Sequence, residues 1–101
     1  MAATVHEPVL LQEVISGLDP KSGEVALDAT LGGGGHARAI GERLGSTGLL
    51  IGLDQDSAAI ERAREKLLGL TCGVKLIKSN FRDIAKVVGQ PIDIALFDLG
   101  L

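Results

Sequence analysis

The apolar positions change period along the chain, and each change marks a new element. Between Pro8 and Leu18 the spacing of Leu10, Leu11, Val14 and Leu18 predicts a helix. Pro8 suits its first turn, where a missing N–H costs nothing. The turn-forming run Asp19-Pro20-Lys21-Ser22-Gly23 ends it. From Glu24 to Thr30 the pattern shortens to the apolar run Val25-Ala26-Leu27, as expected of a strand buried on both faces. A glycine tract, Gly32 to Gly35, leads into a helix over His36 to Leu44, with Ala37, Ile40 and Leu44 on one side.

Leu49-Leu50-Ile51-Gly52-Leu53 reads as a second strand ending at Asp54. Asp56 or Ser57 can cap the helix that follows. That helix is expected to run to about Leu68, with Ile60, Ala63 and Leu67 inward and Glu61, Arg62, Arg64, Glu65 and Lys66 as a solvated face. Val74-Lys75-Leu76-Ile77 gives a third strand, Phe81 to Val88 a short helix, and Ile92 to Phe97 a fourth strand ending at Asp98. Strands that alternate with helices imply a parallel sheet joined by right-handed crossovers. The chain therefore reads as one α/β domain that reaches a fourth strand.

Composition narrows the function classes. The 101 residues are 46% hydrophobic and 23% charged, which suits a soluble globular chain and not a disordered one. Apolar runs such as Leu49-Leu50-Ile51 fall far short of the ~20 residues of a spanning helix. The N-terminus lacks the basic start and apolar core of a signal peptide, so a cytoplasmic location is expected. A single cysteine, Cys72, excludes an internal disulfide and a cysteine-rich zinc site; with His6 and His36 it is too scattered for a ligand set, so no metal is expected. The formal charge of −3 does not describe a nucleic-acid-binding surface. If the protein meets RNA, most contacts lie outside these residues. With only Phe81 and Phe97 as aromatics, stacking on bases has almost nothing to work with.

The candidate chemistry gathers where strands end. Asp28-Ala29-Thr30-Leu31-Gly32-Gly33-Gly34-Gly35-His36 joins a strand to a helix. Glycines there admit positive φ and let a ligand approach the backbone, and the helix start offers free N–H groups. Tightness alone would also favour glycine, but four in succession exceed what a turn requires. A phosphate-binding P-loop is excluded because no Lys-Ser/Thr follows. A dinucleotide fingerprint fits loosely through Gly32, Gly34 and Ala37, with Asp54 about 20 residues on, where a ribose-binding acid belongs. Asp28 decides between ligands. Its charge at the mouth of the loop would repel a pyrophosphate, which argues against NAD. It suits S-adenosylmethionine, which carries a sulfonium and an ammonium against a single carboxylate. Asp28, Asp54 and Asp98 would then edge the pocket, and Phe81 at the end of the third strand is placed to pack on an adenine. Each has a plainer alternative: a surface strand-end carboxylate for Asp28, a helix cap for Asp54, a core residue for Phe81, a turn residue for Asp98.

With these segments in order, His6-Glu7-Pro8-Val9-Leu10-Leu11, Asp28 to His36, Gly52-Leu53-Asp54-Gln55-Asp56, Asn80-Phe81-Arg82-Asp83 and Phe97-Asp98-Leu99-Gly100, the sequence resembles the MraW/RsmH family along its whole length. The resemblance implies a Rossmann-like class I methyltransferase fold. It implies S-adenosylmethionine-dependent methylation of the N4 amino group of a cytosine in small-subunit (16S) ribosomal RNA. It implies cofactor contacts at Gly34, Gly35 and His36, at Asp54 with the ribose, at Phe81 with the adenine and at Asp98, with Asp28 a further candidate. Family members continue beyond the position of Leu101, so residues 1–101 look like the N-terminal, cofactor-binding part of the domain, inactive alone. No catalytic residue is assigned, and His6 reads as structural. The same residues leave open a methyltransferase with another acceptor, or a nucleotide-binding piece without catalysis. In this fold the strand order begins 3-2-1-4. The fourth strand would then be an edge, apolar apart from Asp93, so the chain alone is expected to be poorly stable or to self-associate through that strand.

Overall fold

The computed structural model describes residues 17–29, 31–32 and 34–96. Within them the order is β1 (Val25–Asp28), α1 (Gly35–Leu44), β2 (Leu49–Asp54), α2 (Ser57–Lys66), β3 (Gly73–Lys78), a 3-10 turn (Phe81–Asp83), α3 (Ile84–Val88) and β4 (Ile94–Leu96). The strands form one sheet in the order β3-β2-β1-β4, all pairs parallel. This is the expected 3-2-1-4 arrangement. The helix expected over residues 8–18 lies outside the described residues except at Gly17 and Leu18, which are helical.

The two faces of the sheet carry different cores, as the two-residue strand period requires. Ala26 of β1 and Leu50 of β2 point to one face, where they meet Ala37, Ile40 and Leu44 of α1 and Ile60 and Ala63 of α2. Leu27, Ile51 and Leu53 point to the other face, where Val88 of α3 covers them. Ile40, Leu44, Leu50, Ile51 and Leu53 are among the largest fully buried side chains, each contributing about 1.5–3 kcal/mol on burial. Right-handed crossovers explain the division. The chain moves one way along the sheet from β1 to β3, keeping α1 and α2 together, then returns past β1 to β4 and places α3 opposite.

Three elements differ from their sequence expectation. The α2 helix ends at Lys66, two residues early, because Leu67 leaves helical geometry and Gly69 turns with φ +89°. The last short helix opens as the 3-10 turn. The fourth strand is shorter than Ile92 to Phe97. Asp93 donates its N–H to Val25 O (2.8 Å), and its carboxylate accepts the Val25 N–H (2.7 Å). A side chain thus starts the β1–β4 pair, and ladder pairing begins only at Ala26 and Ile94. Phe97 lies outside the described residues.

Candidate functional site

Of the residues singled out by the sequence, Asp28, Gly34, Gly35, His36 and Asp54 lie at the carboxyl ends of β1 and β2 or in the loop that leaves β1. In open α/β sheets the ligand crevice lies on this edge, where the strand order reverses. Here the reversal falls at β1, flanked by β2 and β4.

The glycine loop is fixed by its own backbone. Ala29 N–H donates to Leu96 O (3.0 Å) and Leu31 N–H to Leu53 O (2.9 Å), so the chain leaving β1 is tied to both neighbours. Leu31 then lies over Gly52 in the middle of β2. A Cβ on Gly52 would come within 2.7 Å of Leu31 Cδ1, so a side chain at this strand position would have to displace Leu31. Gly34 N–H donates to Leu31 O (3.0 Å), and Gly34 O accepts the Arg38 N–H (2.8 Å), the first rung of α1. Gly34 holds φ +88°, and a Cβ there would sit 3.2 Å from the Ala63 Cα of α2. Conformation and packing both demand glycine at this position.

The next residues face outward. Gly35 is exposed and has nothing within 4 Å of where a Cβ would stand. His36 is half-buried. The N–H groups of Gly35, His36 and Ala37 precede the first rung of the helix, and α1 carries no acidic residue in its first turn to cover them.

Asp54 joins the two loops. Its Oδ2 accepts the Gly32 N–H (2.9 Å) and its Oδ1 accepts the Asp56 N–H (2.9 Å). Capping of α2 falls instead to Asp56, whose Oδ1 accepts the Ala58 N–H (2.9 Å). Asp54 is half-buried, and each carboxylate oxygen keeps acceptor capacity beyond its one backbone bond. The Asp54 carbonyl accepts the Ser79 N–H (3.0 Å), which draws the end of β3 alongside. There Asn80 Oδ1 accepts the Asp83 N–H (3.2 Å) and closes the turn that begins at Phe81.

Asp28 stands apart from the others. Its side chain is buried, with the residue only 1% exposed, so it is no surface strand-end carboxylate. Among the described residues no buried side-chain nitrogen or oxygen lacks a hydrogen-bond partner. The register sets Asp28 beside Gly52 and Leu96, one pleat behind Asp54. Asp98 and His6 lie outside the described residues. Sequence reading missed Gly32, the loop donor to Asp54, and Arg38. The Arg38 guanidinium donates to Lys66 O (2.7 Å) and Leu68 O (2.9 Å) at the end of α2. The signal for Arg38 was present in the sequence: a cation in the opening turn of a helix opposes the helix dipole and needs another partner. Among the described residues no group of three or more His, Cys, Asp or Glu could hold a metal, and no helix is long and apolar enough to cross a membrane.

The architecture is the Rossmann-like fold of class I methyltransferases. A solved structure of a Clostridium thermocellum protein, described as a provisional rRNA-methylase, matches with TM-score 0.79 and 28% identity, covering 92% of this chain and 50% of that one. A methyltransferase from Thiobacillus denitrificans, solved with S-adenosyl-L-homocysteine, matches with TM-score 0.64 over 87% of this chain and 35% of that one; its 20% identity speaks for the fold alone. The chain belongs to the MraW methylase family, whose model matches residues 3–101. Relatives named ribosomal RNA small subunit methyltransferase H include those of Heliobacterium mobile, 48% identical over 95% of this chain, and Brevibacillus brevis, 44% identical over 95%. The chain spans about a third (32%) of the length of either relative.

Proposed function

We propose that the protein to which these residues belong is an S-adenosylmethionine-dependent methyltransferase. Its acceptor is the N4 amino group of a cytosine in small-subunit ribosomal RNA, and residues 1–101 supply the cofactor-binding half of its domain. The observation that carries the reading is the pairing of the open first turn of α1 with the Asp54 carboxylate across the glycine loop, in a chain of this family. The space over Gly35 is where a ligand can reach backbone N–H groups, so the residues present fit the cofactor.

The N-terminal turn of α1, through Gly34, Gly35 and His36, holds the methionine end. Gly34 acts by shaping the loop, since its own N–H and C=O are both engaged. Asp54 accepts the ribose hydroxyls on the acceptor capacity left beside its two backbone bonds. Phe81 packs on the adenine, and Asp98 meets the cofactor at the end of the fourth strand. Asp28 supports the loop from beneath as a buried carboxyl side chain. When bound, the cofactor supplies a methyl group on a sulfonium, the electrophile for an amino nitrogen whose lone pair is delocalised into the ring. For so weak a nucleophile the main contribution of the chain is alignment, an effect worth up to roughly 7–11 kcal/mol. The target base must be unstacked to be reached. With a formal charge of −3 in these residues, the RNA is held mainly by the rest of the protein, which works in the cytoplasm where ribosomes are assembled.

The test is calorimetric titration of the intact protein with S-adenosylhomocysteine. Asp54→Ala is expected to weaken binding by about 1.5–3 kcal/mol, the worth of hydrogen bonds to a charged group. Methyl transfer to small ribosomal subunits should fall with it. Unchanged affinity in the variant would remove Asp54 from the site.

A further inference from the structure

We infer that Arg38 is a positioning residue for the cofactor site: it sets the distance between the N-terminal turn of α1 and the Asp54 carboxylate. The inference rests on the cofactor reading above, and concerns a residue that never touches the ligand.

Arg38 lies in the opening turn of α1, where its charge is unfavourable to its own helix. The side chain leaves that helix and donates Nη1 to the carbonyls of Lys66 and Leu68, at 2.7 and 2.9 Å. Lys66 is the last residue of α2, so the guanidinium meets the negative end of the α2 dipole. A second contact, Nε to Glu42 Oε2 at 3.4 Å, keeps the side chain along the helix surface. The backbone of Arg38 is equally committed, since its N–H holds the Gly34 carbonyl. One residue therefore grips the last glycine before α1 with its main chain and the end of α2 with its side chain.

The geometry of the site makes that grip consequential. The helix α2 follows directly from Asp54 through Gln55 and Asp56, so Asp54 and α2 belong to one piece of the framework. The glycine loop and α1 form the other. Polar ties join the pieces on both sides of the loop: Leu31 N–H to Leu53 O and Gly32 N–H to Asp54, close to the site, and Arg38 to the end of α2, at the far side. Between them Gly34 packs closely on Ala63 and Lys66, where a Cβ would stand 3.2 Å from Ala63 Cα. Cut the outer tie and the first turn of α1 is held to α2 by apolar packing alone, with Ala37 the nearest buried anchor. The N–H groups of Gly35 and His36 then lose their fixed separation from Asp54, and a ligand that spans both must order them at its own cost.

The experiment measures S-adenosylhomocysteine binding to the intact protein by calorimetry, together with Tm and amide hydrogen exchange at residues 35–37. Arg38→Met is expected to raise Kd about tenfold, the loss of two bonds from a charged donor, and to speed exchange at those amides. Arg38→Lys, which keeps a cationic donor, should restore most of the affinity. Glu42→Gln, which spares the carbonyl bonds, should leave Kd unchanged. Ile40→Val serves as the stability control: it lowers Tm from within the same helix and should not move Kd. Should Arg38→Met fail to fold, Arg38→Gln carries the same expectation. An unchanged Kd in Arg38→Met, or an equal rise in Ile40→Val at matched Tm, overturns the inference alone. A wild-type protein that binds no S-adenosylhomocysteine overturns the cofactor reading and the inference with it.

Discussion

At one edge of the sheet β3 turns Lys75 and Lys78 to solvent; at the other, β4 over its described residues Ile94, Ala95 and Leu96 carries no charge. Among the described residues each strand has a single neighbour, so both are edges. Lysine on an edge strand resists the addition of another chain, and β3 is protected in that way. In β4, Ala95 is exposed and its flanking apolar residues are half-buried. The nearest charge, Asp93, is held by the Val25 N–H and does not guard the edge. The difference teaches that β3 is a finished border of the sheet, whereas β4 has the composition of a strand paired on both sides.

The contrast is most easily broken at Ala95. The 101-residue chain is expected to self-associate through β4, and Ala95→Lys should leave it monomeric in sedimentation velocity. Association that survives the substitution would place the contact elsewhere. A smaller effect is expected at the start of the strand. Asp93→Ala removes the acceptor for Val25 N–H and should cost about 1 kcal/mol in urea unfolding. Lys78→Ala, on the finished edge, should stay within about 0.5 kcal/mol. A larger loss at Lys78 would show that the lysines hold β3 in place as well as guarding it.

The smallest effect reports on the β3 side. Cys72, just before β3, is buried against Leu50 and the inner face of α1. Burial pushes its thiol pKa up, so the reactive thiolate is scarcer at neutral pH than in an open cysteine. Alkylation by iodoacetamide should therefore be slow in the folded chain, rise with pH through a midpoint above that of free cysteine, and become fast on unfolding. Rapid labelling under native conditions would mean that the β3 edge opens locally, against its reading as the settled border.

The parts of this fold that were legible in the sequence are those written in local periodicity. Ala37, Ile40 and Leu44 announced the buried side of α1, and Ile60, Ala63 and Leu67 that of α2. The apolar β1 run is buried as its composition required. Contacts between distant segments were not legible. Asp54 was expected at the end of β2, but its bond to Gly32 depends on where the glycine loop folds back. The sequence suggests a charge at an open mouth for Asp28, whereas the folded chain buries it. The helical pattern marks Arg38 as a cation in an opening turn, but the carbonyls it serves lie about 30 residues away in sequence. The same holds beyond the end of α2, where the carbonyls of Lys66 and Leu68 are taken up by a residue from another helix.

The return of the chain past β1 also orders events in time. Strands β1 and β2 each pair with the strand that follows, Val25 with Leu49 and Leu49 with Gly73, across short crossovers. The tie between Val25 and Asp93 closes a separation of 68 residues. Each doubling of loop length adds about 0.6 kcal/mol to closure, and distant pairings form late. During synthesis, which proceeds from the N-terminus, β1 therefore acquires its inner neighbour first and keeps its outer edge bare until residues 94–96 have emerged. A ribosome that pauses before Ile94 holds out a central apolar strand with half its hydrogen bonds unmade, and aggregation of the nascent protein would begin there.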